Sequence, residues 1–392
     1  MRILVFSSYW PRPTEVHNAT FEAQQVSALV EAGHQVDVVV QTPPWRRRAE
    51  FLGPAELGLD PARVRVQQIV APRLPEGLGR FPPGIKMNIR TTGHRVKDCI
   101  ETYVTTGREP DLVIVHGERN VGLSAGIWNR NRKWPTAMIV HGADPALEAA
   151  GEGFLHRHAG AVANAGVSRF ILVGNRLRTY ARHIGYDERR ITVIPNGFSQ
   201  PRPPVRLSDE EIGAVRMVSV ARLVPVKGID DTLHALAALY ERNPNLEWSY
   251  DIAGDGPERG VLQQLTKNLG LEERVQFLGA LPNEDVLRLL EKSAIFVLPS
   301  WNEAFGLAYL EAMAMGTVVV GCLENGASDI ITGGVDGCLV PPRNVDALSR
   351  VLEDLITDPH HRETISRAAM ESVRRFSWTD NARAVIEAAQ HG

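Results

Sequence analysis

Apolar and polar residues follow two rhythms along this chain. Short runs such as Arg2–Phe6, Gln35–Val40, Leu112–Val115 and Thr136–Val140 are largely apolar, as strands covered on both faces are. Between such runs, apolar residues recur at three- and four-residue spacing, first over Phe21–Ala32, and these segments predict amphipathic helices. Gly33 follows that helix as its stop signal, so the chain opens as a β-α-β unit. Further strands are expected at or near Ala161–Asn164 and at Ile191–Ile194. A second series begins with a strand at Met217–Ala221 and continues with strands at Trp248–Ala253, Val275–Leu278, Ala294–Leu298 and Val318–Gly321. Helices are expected between them at Ile229–Arg242, Arg259–Leu269, Asn283–Lys292 and Leu307–Met315. This alternation predicts an α/β protein built on parallel sheets. Residues 43–95 are rich in Pro and Arg and read as irregular.

Length divides the pattern. A chain of 392 residues exceeds one ordinary core, so two doubly wound, Rossmann-like domains facing a cleft are expected. The first spans 1–198. A linker over 199–214 contains Pro201, Pro203 and Pro204. The second domain spans 215–375, and a final helix over 376–392 is expected to pack back on the first.

Composition narrows the function classes. No apolar run reaches the length of a membrane span, and no charged-then-apolar leader precedes the first strand. Cys99, Cys322 and Cys338 lie far apart without metal spacing, which points to a reduced, cytoplasmic setting. Residues 1–200 carry 25 Lys+Arg against 18 Asp+Glu, leaving 18 against 28 in the remainder. A basic first half suits an anionic partner, including the inner face of a membrane touched peripherally through Trp45-Arg46-Arg47-Arg48 and Arg80-Phe81-Pro82-Pro83; solvated loops explain it equally well. No nucleic-acid partner is expected. No G-x-G-x-x-G follows the first strand, which disfavours a pyridine-nucleotide oxidoreductase.

Candidate chemistry gathers in the second half. Pro299–Gly316 runs from a strand through a loop with Glu303, Phe305 and Gly306 into the helix at Leu307. On that helix the neighbours of Glu311 are Leu307, Ala308, Ala314 and Met315, all apolar. A bare carboxylate on a buried face costs several kcal/mol unless something hydrogen-bonds it. Lys227-Gly228 precedes another helix, where the macrodipole disfavours a cation unless an anion lies between them. Arg222 offers a planar fork to the same anion, and a diphosphate fits both. The backbone N–H groups of Phe305, Gly306 and Leu307 open a second helix and suit anionic oxygens too. Gly254 begins the Gly254-Asp255-Gly256-Pro257 turn at another strand end. In the first half, His141 follows a strand directly, where parallel sheets place ligands, and Gly142 permits close approach. His116 has the same address, and for it a structural hydrogen bond is the favoured role.

With these residues in hand, the chain resembles the retaining nucleotide-sugar glycosyltransferases of family 4, whose fold is GT-B. The likeness rests on Gly33-His34-Gln35-Val36, Val193-Ile194-Pro195-Asn196-Gly197, Ala221-Arg222-Leu223-Val224-Pro225-Val226-Lys227-Gly228, Ala253-Gly254-Asp255-Gly256-Pro257 and the Glu-x7-Glu pair Glu303 and Glu311. Tyr9-Trp10-Pro11-Arg12-Pro13, with Phe21 and Gln25, looks most like bacterial members that build cell-surface polysaccharides. The resemblance implies a UDP-sugar or GDP-sugar donor and a hydroxyl acceptor, either a lipid-linked glycan or a small molecule. Glu311 would hold the ribose diol, Glu303 a hydroxyl of the sugar, Arg222 and Lys227 the diphosphate, and His141 the transferred sugar near its reacting carbon. The first half would hold the acceptor. No cofactor or metal is expected, since no D-x-D motif stands at a strand end. Two departures stand out: Asn18-Ala19-Thr20 lies where the family carries glycine, and Ala304 stands at another common glycine position. The alternatives are a nucleotide-sugar epimerase or hydrolase on the same scaffold, or a catalytically silent nucleotide-sugar-binding subunit.

Overall fold

The computed structural model describes residues 1–7, 10–13, 20–42, 50–70, 82–117, 121–131, 134–142, 160–199 and 214–391, with residues 20 and 82–85 described by backbone alone. The chain forms two compact units, Met1–Gly197 with Phe376–Gly392, and Phe198–Arg375. Each is a parallel α/β layer structure, as the alternation of elements predicts. The linker residues 200–213 lie outside the described residues, as do Asn18, Ala19 and the Trp45–Arg48 and Arg80-Phe81 segments.

The first unit holds a seven-stranded sheet. In chain order its strands are β1 (Arg2–Ser7), β2 (Gln35–Thr42), β3 (Val64–Val70), β4 (Leu112–His116), β5 (Thr136–Val140), β6 (Arg169–Leu172) and β7 (Ile191–Val193). In space the order is β3-β2-β1-β4-β5-β6-β7, with every pairing parallel. The order reverses between β1 and β4. Such a switch point leaves a crevice at the carboxyl ends of two neighbouring strands, where open α/β sheets bind ligands. Helix α1 (Thr20–Glu31) follows β1, and Gly33 ends it at φ +91°, a conformation glycine adopts without strain.

Two expectations fail in this unit. Residues 43–95 are not irregular throughout, because β3 pairs with β2 from Val36↔Val64 to Thr42↔Val70. It is an edge strand in which Arg65, Gln67 and Gln68 are exposed, so it lacks the apolar run of a central strand. Helix α2 (Pro82–Thr105) fills the end of the same stretch. It buries Ile89, Val96, Ile100 and Tyr103, at helical spacing, and places its prolines in the first turn, where a missing N–H is harmless. Residues 160–164 are helical, and the strand expected at Ala161–Asn164 lies later, at β6. The small residues serve close packing: a Cβ on Gly126 would sit 2.3 Å from the Val162 carbonyl oxygen.

The last helix of the chain, Trp378–Gln390, also belongs to this unit and packs on α1. Ser377 caps it by accepting from the Asp380 N–H at 3.0 Å. Asn381, 6% exposed, donates to the Pro195 carbonyl at 2.7 Å and accepts from Gln25 at 2.6 Å. Trp378 covers Gly197, where a Cβ would meet it at 2.4 Å.

The second unit holds six strands, β8 (Val215–Val220), β9 (Trp248–Ala253), β10 (Val275–Gly279), β11 (Ile295–Val297), β12 (Val318–Cys322) and β13 (Cys338–Val340). Their spatial order is β10-β9-β8-β11-β12-β13, again all parallel. This is the doubly wound order, and its switch point falls between β8 and β11. Helix Ile229–Arg242 follows β8, and helix α3 (Leu307–Ala314) follows β11.

Asn381→Leu should destabilise the first unit by about 1–3 kcal/mol, because it strands the Gln25 amide in a dry contact. Urea denaturation followed by tryptophan fluorescence measures this, and an unchanged midpoint would show the Gln25–Asn381 bond to be dispensable.

Candidate functional site

The two loops that leave the switch point of the second unit are locked together. Gly228 adopts φ +67°, and a Cβ there would lie 2.5 Å from the Pro299 carbonyl oxygen. Ser300 Oγ donates to the Val226 carbonyl at 3.0 Å, and the Trp301 N–H donates to the same carbonyl at 3.1 Å. Gly254, at φ +135°, approaches Ala221 so closely that a Cβ would stand 1.8 Å from its carbonyl oxygen. Only glycine fits either position. Lys227 and Glu303, 76 residues apart in sequence, thereby meet at 2.5 Å with side chains only 20% and 16% exposed. The resemblance gives these two residues separate ligands; here each is the other's partner. Arg222 lies on the same rim, exposed, and no described residue pairs with its guanidinium.

Glu303 leads into α3. Phe305 is buried at 3% exposure and Gly306 takes φ +98°, a left-handed turn that starts the helix at Leu307. Tyr309 Oη donates to the Leu298 carbonyl at 2.5 Å and ties the helix to the strand it follows. Glu311 stands one turn further on. Its face is less buried than the sequence suggests: Ala314 and Met315 are enclosed, whereas Leu307, Ala308 and Glu311 keep partial exposure. No described residue hydrogen-bonds its carboxyl group, and burial raises that group to about 7.

Sequence reasoning missed several supports of this loop. Asn325 Nδ2 donates to the Ser300 carbonyl at 2.7 Å, and its Oδ1 accepts from the Ala327 N–H at 3.0 Å. The Gly326 N–H donates to the Glu303 carbonyl at 2.9 Å, and a Cβ on Gly326 would lie 2.6 Å from Phe305 N. An Asn-Gly pair after a strand is a signal for a tight turn. Arg343 lies 4.5 Å over the Trp301 ring and 3.2 Å from Asp230, an arrangement with no local sequence signature.

The first unit carries a different polar cluster at its own switch point. Ser7 ends β1, Glu22 lies on the first turn of α1, His116 ends β4, and His141 follows β5. Ser7 Oγ donates to Glu22 Oε2. Burial raises Glu22 to about 8, so it holds a proton at neutral pH. His116 Nδ1 and His141 Nε2 lie 3.0 Å apart. Burial lowers His141 to about 4 and His116 well below its ordinary value, so both rings are neutral. The Phe21 ring covers His141 at 4.6 Å. Glu22 Oε1, His116 Nε2 and His141 Nδ1 are each enclosed without a hydrogen-bond partner among the described residues. Glu22, His116 and His141 bring one potential ligand atom each within 4.8 Å, a grouping that the residue types alone make a candidate metal set. Thr20, the described end of the expected acceptor loop, is the first residue of α1.

Comparison with known proteins supports the same division of the chain. The family model described as "Glycosyl transferase 4-like domain" matches residues 19–197, and that described as "Glycosyl transferases group 1" matches residues 211–372. A D-inositol 3-phosphate glycosyltransferase of Kribbella flavida is 32% identical over 182 residues, 45% of this chain and 43% of that protein. The chain thus matches about half the length of such curated relatives. Among solved structures, Anabaena HepE, crystallised with UDP and glucose, superposes with a TM-score of 0.72 at 22% identity over 100% of both chains. The sucrose-phosphate synthase of Thermosynechococcus elongatus gives 0.74 at 18% identity, over 100% of this chain and 98% of that one. With two matched domains and this doubly wound architecture in both units, the chain belongs to the GT4-type glycosyltransferases of GT-B fold.

Proposed function

We propose that the protein transfers a sugar from a nucleoside-diphosphate sugar to an acceptor hydroxyl. The observation that carries this reading is the switch-point rim of the second unit, where Arg222, Lys227, Glu303 and the first turn of α3 converge, with Glu311 one turn below. A diphosphate suits the two cations and the open N–H groups of the helix, and these take the part a divalent ion plays in other transferases. The ribose diol suits Glu311, whose carboxyl group lacks a partner among the described residues. A sugar hydroxyl suits Glu303. Gly254 keeps the neighbouring strand end low enough for a base to lie over it. From the first unit, His141 is assigned to the transferred sugar and the Asn18-Ala19-Thr20 loop to the acceptor.

The Lys227–Glu303 pair adds a step to donor binding. A diphosphate oxygen competes with Glu303 for the ammonium, so binding exchanges a protein ion pair for a ligand ion pair. The carboxylate released from Lys227 then takes a sugar hydroxyl. We assign retention of configuration: the departing phosphate oxygen takes the acceptor's proton while the new bond forms on the face that the old one leaves. UDP is the favoured nucleotide, in keeping with the UDP in HepE and the UDP-2-fluoro glucose in an Escherichia coli trehalose-6-phosphate structure. A glycan or glycoconjugate pathway at the cytoplasmic side of a bacterial membrane fits the basic first half. Among the described residues no helix is long and apolar enough to cross a membrane.

A panel of UDP- and GDP-sugars should raise the melting temperature by mass action, and the stabilising donor should be consumed only when acceptor is present. Free nucleotide released at the same rate without acceptor would favour the hydrolase or epimerase. Stabilisation without turnover under any acceptor would leave a silent binding subunit.

Lys227→Ala should weaken donor binding about tenfold or more, as loss of a charge-assisted contact does. Glu303→Gln should spare UDP or GDP binding while cutting transfer, and equal loss of both would refute the division of roles. Glu311 holds its proton below about pH 7 and is a carboxylate above it. A carboxylate accepts both ribose hydroxyls, whereas the protonated acid accepts less well. Nucleoside diphosphate affinity should therefore rise from pH 6 to pH 8, and Glu311→Gln should both weaken binding and flatten that dependence. Calorimetric titration at both pH values reads each effect.

A further inference from the structure

The geometry points to His116 as a positioning residue for His141: the two rings share a single proton in line, which forces them to carry the same tautomer and decides whether the outer Nδ1 of His141 donates or accepts. Three features of the ring pair carry this inference. The facing nitrogens are 3.0 Å apart, the ring centroids 5.3 Å apart, and the planes differ by 6°. The separation left after the nitrogen–nitrogen distance is just the two centroid-to-nitrogen radii, so both nitrogens lie on the line between centroids. Each ring plane then contains that line. Two nearly parallel planes that share a line are one plane, so the rings lie edge to edge and are not stacked face to face. In imidazole the lone pair, or the N–H, points outward in the ring plane. His116 Nδ1 and His141 Nε2 therefore point directly at each other.

Only one proton fits that gap. Two N–H groups facing at this distance collide, and two lone pairs repel. Since both imidazoles are neutral, each carries one proton in total. If the shared proton belongs to His116 Nδ1, then His141 Nε2 is bare and its proton must be on Nδ1. If it belongs to His141 Nε2, then His116 must carry its own on Nε2. The allowed states are Nδ1–H on both rings or Nε2–H on both. The same alignment argues against a metal here, because a shared ion needs the two lone pairs to converge on a third point. Phe21 lies against the His141 ring, and the enclosed Nδ1 of His141 has no hydrogen-bond partner among the described residues. A ligand hydroxyl at that nitrogen meets a donor in the first state and an acceptor in the second, and His116 carries the matching tautomer in each.

The role of this lock in sugar transfer rests on the assignment of His141 proposed above; the lock itself does not. Histidine ring-15N spectra of the free protein near pH 7.5 test the lock without any substrate, with His116→Asn and His141→Asn used for assignment. Identical tautomers at the two positions are expected. Opposite tautomers, or a doubly protonated ring at either position, would overturn the proposal. Added Zn2+ should leave both signals in place, and their displacement would show a metal where the proton is placed. For the positioning role, His116→Leu should lower kcat roughly tenfold to a hundredfold with donor KM within about twofold, the size of effect seen when a group that orients a functional histidine is lost. His116→Asn, whose amide reaches the Nδ1 position, should recover most of it. Equal activity of the Leu and Asn variants would refute positioning. A wild-type protein that transfers no sugar would sink the proposed function and leave the 15N result to decide the lock.

Discussion

The ion pair between Lys227 and Glu303 ties together the two loops at the switch-point edge of the second unit. Most of each side chain is out of water, and neither charge has another close partner among the described residues. Removing one half of such a pair leaves the other as an enclosed charge, which is why buried pairs are costly to break and poor as simple stabilisers. The pair exists only because the loops after β8 and β11 approach within backbone contact, through Gly228 against Pro299 and through the two bonds to the Val226 carbonyl. Glycine at 228 is thus a condition for the site, not an ornament of the turn. On the proposed function, a diphosphate must compete with the Glu303 carboxylate for Lys227, which makes the pair a source of selectivity. In that proposal a monoanion gains little over Glu303, whereas a diphosphate offers more charge and suits the Arg222 fork as well.

Much of this site was legible in the sequence, and the reason is local. Strand, loop and helix around Glu303 and Glu311 are contiguous, and the apolar neighbours of Glu311 at helical spacing mark it as an oddity without any tertiary knowledge. Arg222 and Lys227 stand out because a cation before a helix violates a simple electrostatic preference. What could not be read was the partnership between them. Lys227 and Glu303 are joined through a turn conformation at Gly228 and a carbonyl at Val226, neither of which has a side-chain signature. Fold errors have the same root. Edge strand β3 is half polar because its position at the edge of the sheet leaves Arg65, Gln67 and Gln68 exposed, so its composition imitates a loop. The Ala161–Asn164 stretch is small and apolar because helix 160–164 packs against the backbone at Gly126, and smallness imitates a strand's apolar run.

The two sheets use the same topological position for opposite electrostatic ends. Both reverse order between their first and fourth strands, and both place polar side chains on the loops and strand ends there. In the second unit these groups are charged: two cations, one carboxylate paired to a lysine, and one carboxyl group near neutrality. In the first they are neutral, since burial keeps a proton on Glu22 and strips the extra proton from both histidines. Charge suits a diphosphate, whose binding is governed by Coulombic attraction. Neutral, enclosed donors and acceptors suit hydroxyl groups, whose recognition depends on direction.

Direction is also what makes the neutral cluster demanding to build. A charged pair tolerates angular error, because attraction falls slowly with orientation. A hydrogen bond between two imidazoles does not, and the wrong tautomer replaces attraction with a clash. The first unit meets that demand with backbone. His116 is the last residue of β4, paired in register with Ile139 of β5, and His141 follows Val140 at the end of β5. Both rings therefore spring from adjacent strands of one rigid sheet, and Glu22 arrives on the helix that covers it. Glu22 and His141, 119 positions apart in sequence, are brought together by strand order and by the helix that follows β1. That is why no motif announces them, and why the doubly wound topology, once seen, makes their meeting a consequence of the fold.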